Sequence, residues 1–202
     1  MLTTLILFFL VAIAGLGLMI YMDIKPTVVK PPQLNYADGL QNMAAEATAT
    51  HQEDKANGEV RAESTVNGNG KAEASAELGH EFQYRGKEGK KFNPSIHFRY
   101  RAHVQVDQGE GQAGALIQTV LLPGSTNEVI KEALTEVGVK DIPGEENFTT
   151  SVQRLPPVFL EPNQKCKVFL RVTAFAEALG SEKASCRTEV IGRIAEVRLT
   201  PV

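Results

Sequence analysis

Between Glu59 and Leu78 the chain alternates without a fault. Val60, Ala62, Ser64 and Val66 are interleaved with Glu59, Arg61, Glu63 and Thr65, and Ala72, Ala74, Ala76 and Leu78 with Lys71, Glu73, Ser75 and Glu77. A period of two sends successive side chains to opposite faces of an extended backbone, so this stretch must be β structure with one apolar and one polar face. Between the two runs lies NGNG, Asn67 to Gly70. Asn and Gly accept positive φ at little cost, which predicts a β-hairpin. Its apolar face is shallow, because small side chains each bury little area at about 25 cal/mol per Å². It must therefore press closely against something, either the rest of the domain or another copy of the chain. Val60, Ala62, Ala72, Ala74 and Ala76 are accordingly candidate residues of an assembly face.

The same period returns from Ser95. Ile96, Phe98, Tyr100, Ala102, Val104 and Val106 share one face, and His97, Arg99, Arg101, His103 and Gln105 the other. Ala115 to Leu122 is a near-continuous apolar strand, which implies burial on both faces. Ser125-Thr126-Asn127-Glu128 then has the form of a capping box ahead of Val129, Ile130, Ala133, Leu134 and Val137, with Gly138 as a stop. This pattern predicts an amphipathic helix over about 125–138. Another helix is expected in the Ala-rich run after Asp38, with Leu40, Met43, Ala44 and Ala47 on one face. Thr149 to Leu155, Lys165 to Phe175 and Arg187 to Leu199 read as strands, the last with an irregularity at Gly192 and paired to its predecessor as a hairpin.

No charged side chain occurs from Met1 to Met22, and Leu5 to Tyr21 is long enough to cross a hydrocarbon layer about 30 Å thick. Residues 1–22 therefore read as a transmembrane anchor that contacts the lipid bilayer. A cleaved signal is the rival, because Ala12-Ile13-Ala14 precedes Gly15, but no basic residue begins the chain. Lys25 and Lys30 follow the run and lean towards a cytoplasmic domain, with a periplasmic or extracellular one as the alternative. Pro26, Pro31 and Pro32 make 23–37 a semi-rigid stalk. The fold class expected is α+β: an N-terminal transmembrane helix, then a β-rich, mainly antiparallel domain over 38–202 with one inserted helix and a candidate sub-boundary near 86–94.

Tests for chemistry are mostly negative. His97 and His103 share a face but lie ~20 Å apart along a strand, too far for one metal ion. No Cys or carboxylate cluster has ligand spacing, so neither a metal nor another cofactor is expected. In the hairpin geometry Cys166 and Cys186 fall ~30 Å apart and stay unbridged. Gly109, Gly111 and Gly114 match GxGxxG, but a strand follows them where the phosphate fingerprint needs a helix. No GxSxG occurs, and no Cys has a His nearby in sequence. The formal charge of −3 and the absence of Trp disfavour nucleic acid as a partner.

What remains is the stripe His97, Arg99, Arg101 and His103, a candidate contact surface for an anionic ligand or an acidic partner. The expectation is a non-enzymatic, single-pass membrane-anchored binding or scaffold protein, a subunit of a membrane-associated complex with a protein partner or self-association. A self-assembling fibre, coat or sheath protein is one alternative. An anionic-ligand or enzymatic role through the stripe is another.

Overall fold

The computed structural model describes residues 25–44, 47–106, 110–124, 130–138, 148–179 and 185–202. Twelve strands run through them: β1 (Thr27–Val29), β2 (Tyr36–Ala44), β3 (Ala47–Asp54), β4 (Glu59–Asn67), β5 (Gly70–Gln83), β6 (Lys90–Val106), β7 (Glu110–Pro123), β8 (Ile130–Gly138), β9 (Thr149–Arg154), β10 (Val158–Leu160), β11 (Lys165–Leu179) and β12 (Ser185–Pro201). Seven form one sheet in the order β3-β4-β12-β6-β10, with β1 also on β12 and β9 also on β6, and five form a second in the order β2-β5-β11-β7-β8. Every pair is antiparallel.

Strands adjacent in sequence often part company. β4 and β5, β6 and β7, β8 and β9, and β11 and β12 each lie in different sheets. The row β4-β12-β6-β9 thus faces the row β5-β11-β7-β8, the connectivity of a jelly roll, in which two Greek keys make a double-sheet sandwich. β2 and β3 extend one edge of each sheet.

Both expected hairpins are corrected by this topology. β4 pairs with β3 and β12, and β5 with β2 and β11, so the NGNG connection is an arch between layers. β11 and β12 are likewise in opposite sheets. Alternation is satisfied equally by neighbours in one sheet and by strands facing each other across a core, so the pattern held while the partner changed. Val60, Ala62, Val66, Ala72, Ala74, Ala76 and Leu78 are all 0% exposed. The shallow apolar faces therefore meet at the centre of the sandwich.

The expected helices are corrected too. Tyr36–Ala44 is strand β2, paired along its length with β5. Ile130–Gly138 is strand β8, paired with β7, and no helix occurs among the described residues. The cause of the second misreading lies in the register. Ala133 pairs with Gln118 and Thr135 with Ile117, leaving Leu134 as an extra residue. Such a bulge breaks the period of two, and the apolar positions on either side of it take on helix-like spacing. The α+β class thus gives way to an all-β sandwich. The irregularity expected at Gly192 falls instead between Ile194 and Glu196. Gly192 pairs regularly with Tyr100 and Val60, and its lack of a side chain serves interlayer packing, since a Cβ there would lie 2.6 Å from Leu170 Cδ2 in the other sheet.

Membrane localisation rested on an N-terminal helix, and no described helix carries it: none is long and apolar enough to cross a membrane. The segment 1–22 lies outside the described residues. Of the expected stalk, Thr27–Val29 pairs with Leu199, Arg198 and Val197 of β12, and Val29 and Leu34 are buried. The chain then turns back at Pro31–Pro32 beside Gly58 in the β3–β4 turn. Gly58 has φ 69°, and a Cβ there would lie 2.5 Å from Pro31 Cγ. Asp54 shapes that turn: its Oδ2 accepts from the side-chain amide of Asn57 (2.7 Å) and its Oδ1 from the backbone amides of Asn57 (3.1 Å) and Ala56 (2.9 Å), which together hold its carboxyl below the usual range.

The layers are joined by two buried hydroxyls. Ser64 Oγ on β4 donates to the carbonyl of Ala174 (2.8 Å), and Thr188 Oγ1 on β12 donates to that of Phe175 (2.9 Å). Both acceptors belong to β11 in the opposite sheet. Only small side chains allow sheets to approach closely enough for such bonds, and Ala74, Ala174, Ala176 and Gly192 supply them.

Candidate functional site

The outer face of the five-stranded sheet carries a groove of about 480 Å³. Its floor follows from the register. Asp38, Glu77, Arg171 and Gln118 stand opposite one another on β2, β5, β11 and β7. Two residues along, Leu40, Ser75, Thr173 and Leu116 form a parallel row. The rows lie ~7 Å apart, because outward side chains recur every second residue. One row is thus charged and polar, and the other has two hydroxyls between two leucines.

The polar row is held rigidly at its centre. Arg171 Nε donates to Glu77 Oε1 (2.6 Å), and Arg171 also reaches that carboxylate through a second guanidinium nitrogen. Tyr36 Oη donates to Glu77 Oε2 at 2.5 Å. Burial, reinforced by Glu77, pushes the Tyr36 phenol well above its usual pKa, so it remains a donor. The Tyr36 ring lies 4.9 Å from that of Phe169 at a tilt of 48°, Phe169 being fully buried although it points away from the core, and Lys167 Nζ sits 4.5 Å over the Tyr36 ring. Both oxygens of Glu77 are therefore occupied. Glu73, exposed at one end of the groove, and Asp38, whose Oδ1 accepts only from the amide of Gly39 (2.8 Å), retain free acceptor capacity.

The sequence placed Glu73, Ser75 and Glu77 on a polar strand face but assigned none of these residues to a site. Arg171 alone left a readable signal, as the one charge inside the apolar run Val168 to Ala176. Such an isolated charge asks for a partner on a neighbouring strand.

The stripe proposed from sequence lies on the other side of the molecule. His97, Arg99, Arg101 and His103 point outward from β6 on the seven-stranded sheet, while Ile96, Phe98 and Val104 are buried behind them. The four do not converge on one ligand. His97 Nδ1 lies 3.4 Å from Glu196, and His103 stands opposite Glu189 on β12. Arg99 and Arg101 lie over the ring of Phe148, with Cζ 5.4 and 5.3 Å from its centroid, and Arg193 joins them at 4.7 Å. Much of this face is internally neutralised: Arg193 pairs with Glu59 (2.6 Å), Arg61 with Glu189 (2.7 Å) and Arg187 with Glu63 (2.8 Å).

The candidate assembly residues Val60, Ala62, Ala72, Ala74 and Ala76 sit in the core, out of reach of a second copy. Cys166 and Cys186 are buried and not bridged to each other. Cys166 opens β11, and Cys186 Sγ lies 3.6 Å from the carbonyl of Glu177 near that strand's far end, ~35 Å away along the strand. Among the described residues no group of three or more His, Cys, Asp or Glu could hold a metal ion.

No protein-family model matches the chain. No curated protein matches it either. Among solved structures it is similar to a GH26-CBM35 β-(1,4)-mannanase of Podospora anserina, with 13% identity and a TM-score of 0.34 over 89% of this chain and 28% of that one. It is similar to the CBM22-1-GH10 modules of a Clostridium thermocellum xylanase, with 14% identity and a TM-score of 0.30 over 82% and 26%. It is also similar to the CBM22-1 xylan-binding domain of a Paenibacillus barcinonensis protein, with 9% identity and a TM-score of 0.25 over 83% and 97%. The chain thus spans about a quarter of the first two, and at these scores the likeness assigns neither a family nor a ligand.

Proposed function

We propose that this chain is a non-enzymatic binding module whose ligand is an uncharged polyhydroxylated molecule, a glycan, held in the groove across β2, β5, β11 and β7. The observation that carries this is the mixture of groups in the two rows. Asp38 and Glu73 accept, and Gln118, Ser75 and Thr173 both donate and accept, which suits hydroxyls that do the same. Leu40, 66% exposed, and Leu116 offer apolar surface to the C–H face of a sugar ring. With three carboxylates to one guanidinium, the groove repels an anion. Its volume falls within the roughly 300–1,000 Å³ of small-ligand sites.

Two features favour binding over catalysis. No histidine or cysteine lines the groove. Of the carboxylates, Glu73 is ~13 Å from Glu77 along β5, and Glu77, which stands opposite Asp38, is already engaged by Arg171 and Tyr36.

Calorimetric titration of the full chain with neutral gluco-, manno-, xylo- and galacto-configured oligosaccharides tests the proposal, with spermidine as a cationic comparator. Binding of one sugar series, weakened about tenfold or more in Gln118→Ala and Glu73→Gln, is expected, each variant removing hydrogen bonds to the ligand. Binding of spermidine with no response to any sugar would overturn it.

A further inference from the structure

A second groove, of about 580 Å³, opens on the outer face of the seven-stranded sheet, where β9, β6 and β12 run side by side. Its chemistry is the reverse of the first. Ser95 on β6 stands directly opposite Arg154 on one side and Arg198 on the other. Neighbouring strands are ~4.8 Å apart, so two guanidinium groups flank one hydroxyl across ~10 Å of sheet. Thr200 adds a second hydroxyl from β12. Arg198 pairs with Glu196 (2.6 Å), and Glu196 also lies 3.4 Å from His97. Arg154 makes no ion pair with any described residue. The polar side of the groove therefore keeps one uncompensated guanidinium.

The wall on the β9 side also carries apolar groups, beside Arg154. Val152, two residues before Arg154 on β9, is 54% exposed, and Pro157 follows where the chain leaves β9 for β10. That wall is fixed by Leu155, buried, whose amide donates to the carbonyl of Pro94 (3.0 Å). A simple ion would fill only a small part of this volume and would leave Val152 in water.

We infer that this groove binds a small amphipathic anion, with its oxyanion group between Arg154 and Arg198 over Ser95 and its apolar body against Val152 and Pro157. Carboxylate and phosphate both accept two parallel N–H donors from a guanidinium, and both meet the hydroxyls of Ser95 and Thr200. The site is independent of the glycan groove, which lies on the opposite sheet.

The test is titration of the full chain with benzoate, phenyl phosphate, inorganic phosphate and neutral benzamide, followed by NMR or calorimetry. Benzoate or phenyl phosphate is expected to bind, the tighter of the two naming the headgroup, with inorganic phosphate at least about tenfold weaker for want of apolar contact. Arg154→Gln should weaken the aromatic anion by about tenfold or more, as loss of a charge-assisted hydrogen bond requires. Val152→Ser should bring it close to inorganic phosphate. Lys71→Gln on the other face, at a position that lines neither groove, should leave the affinity for the aromatic anion unchanged. Benzamide binding as tightly as benzoate, unchanged affinity in a folded Arg154→Gln variant, or no binding of either aromatic anion would each overturn the inference.

Discussion

The two hydroxyls that cross the core give the fold its sharpest test. Ser64 Oγ and Thr188 Oγ1 leave the seven-stranded sheet and donate to adjacent carbonyls of β11, at 2.8 and 2.9 Å. Both residues are 0% exposed. Each carbonyl has two lone pairs, so removing a hydroxyl leaves no orphaned acceptor on the ladder. The cost of Ser64→Ala or Thr188→Val is then the net worth of one hydrogen bond, about 1 kcal/mol each. For a chain of this size that is about 2–4 °C in Tm per variant. Ser64→Val should cost more than Ser64→Ala, by a further ~1–3 kcal/mol, because the added methyl groups enter a gap set by alanines. Thr150→Val, on the exposed edge of β9, should stay within about 0.5 kcal/mol of the parent. Urea unfolding monitored by circular dichroism reads all four. If Ser64→Ala and Thr188→Val match the parent, or if Ser64→Val stabilises, the sheets do not approach in the way described and the account of the small-residue core fails.

Two further outcomes follow from burial. Ala74→Glu places a carboxylate at a position with 0% exposure among apolar neighbours, and loss of the folded monomer is expected, read as a collapsed thermal transition; a folded, soluble variant would put β5 at a surface. Burial, with Glu81 adding to it, pushes the Cys166 thiol from 9.0 up to about 12. A folded-state pKa above the unfolded one gives stability that is complete below about pH 9 and lost as pH rises towards 12, because the unfolded chain releases its proton first. The urea midpoint should therefore fall between pH 8 and 10.5 more steeply in the parent than in Cys166→Ala, and equal slopes would refute the shift.

How much of this was legible beforehand varies with the range of the interaction. The faces of β4, β5 and β6 were readable residue by residue, since alternation depends only on the geometry of a single extended chain. β8 was not, because the extra Leu134 gives a bulged strand the apolar spacing of a helix, and only the ladder with β7 separates the two. Nor was the candidate glycan groove, assembled from Asp38 and Leu40, Glu73 to Glu77, Leu116 and Gln118, and Arg171 and Thr173, four segments whose residues meet only through register. The stripe from His97 to His103 was visible, and its side of the sheet was assigned rightly. The partners that occupy it, Glu196 beside His97 and the Phe148 ring under Arg99 and Arg101, come from segments distant in sequence.

By itself, then, the sequence determined that the chain is strand-rich and, for β4, β5 and β6, which side chains face apolar surroundings. Tertiary structure decided which strands share a sheet. NGNG suits a hairpin and an arch alike, since both reverse the chain within a few residues and both satisfy a period of two. The difference is made by small side chains, which let Ala74 and Ala174 bring two layers together, and by the hydroxyls of Ser64 and Thr188, which find acceptors only in the opposite sheet.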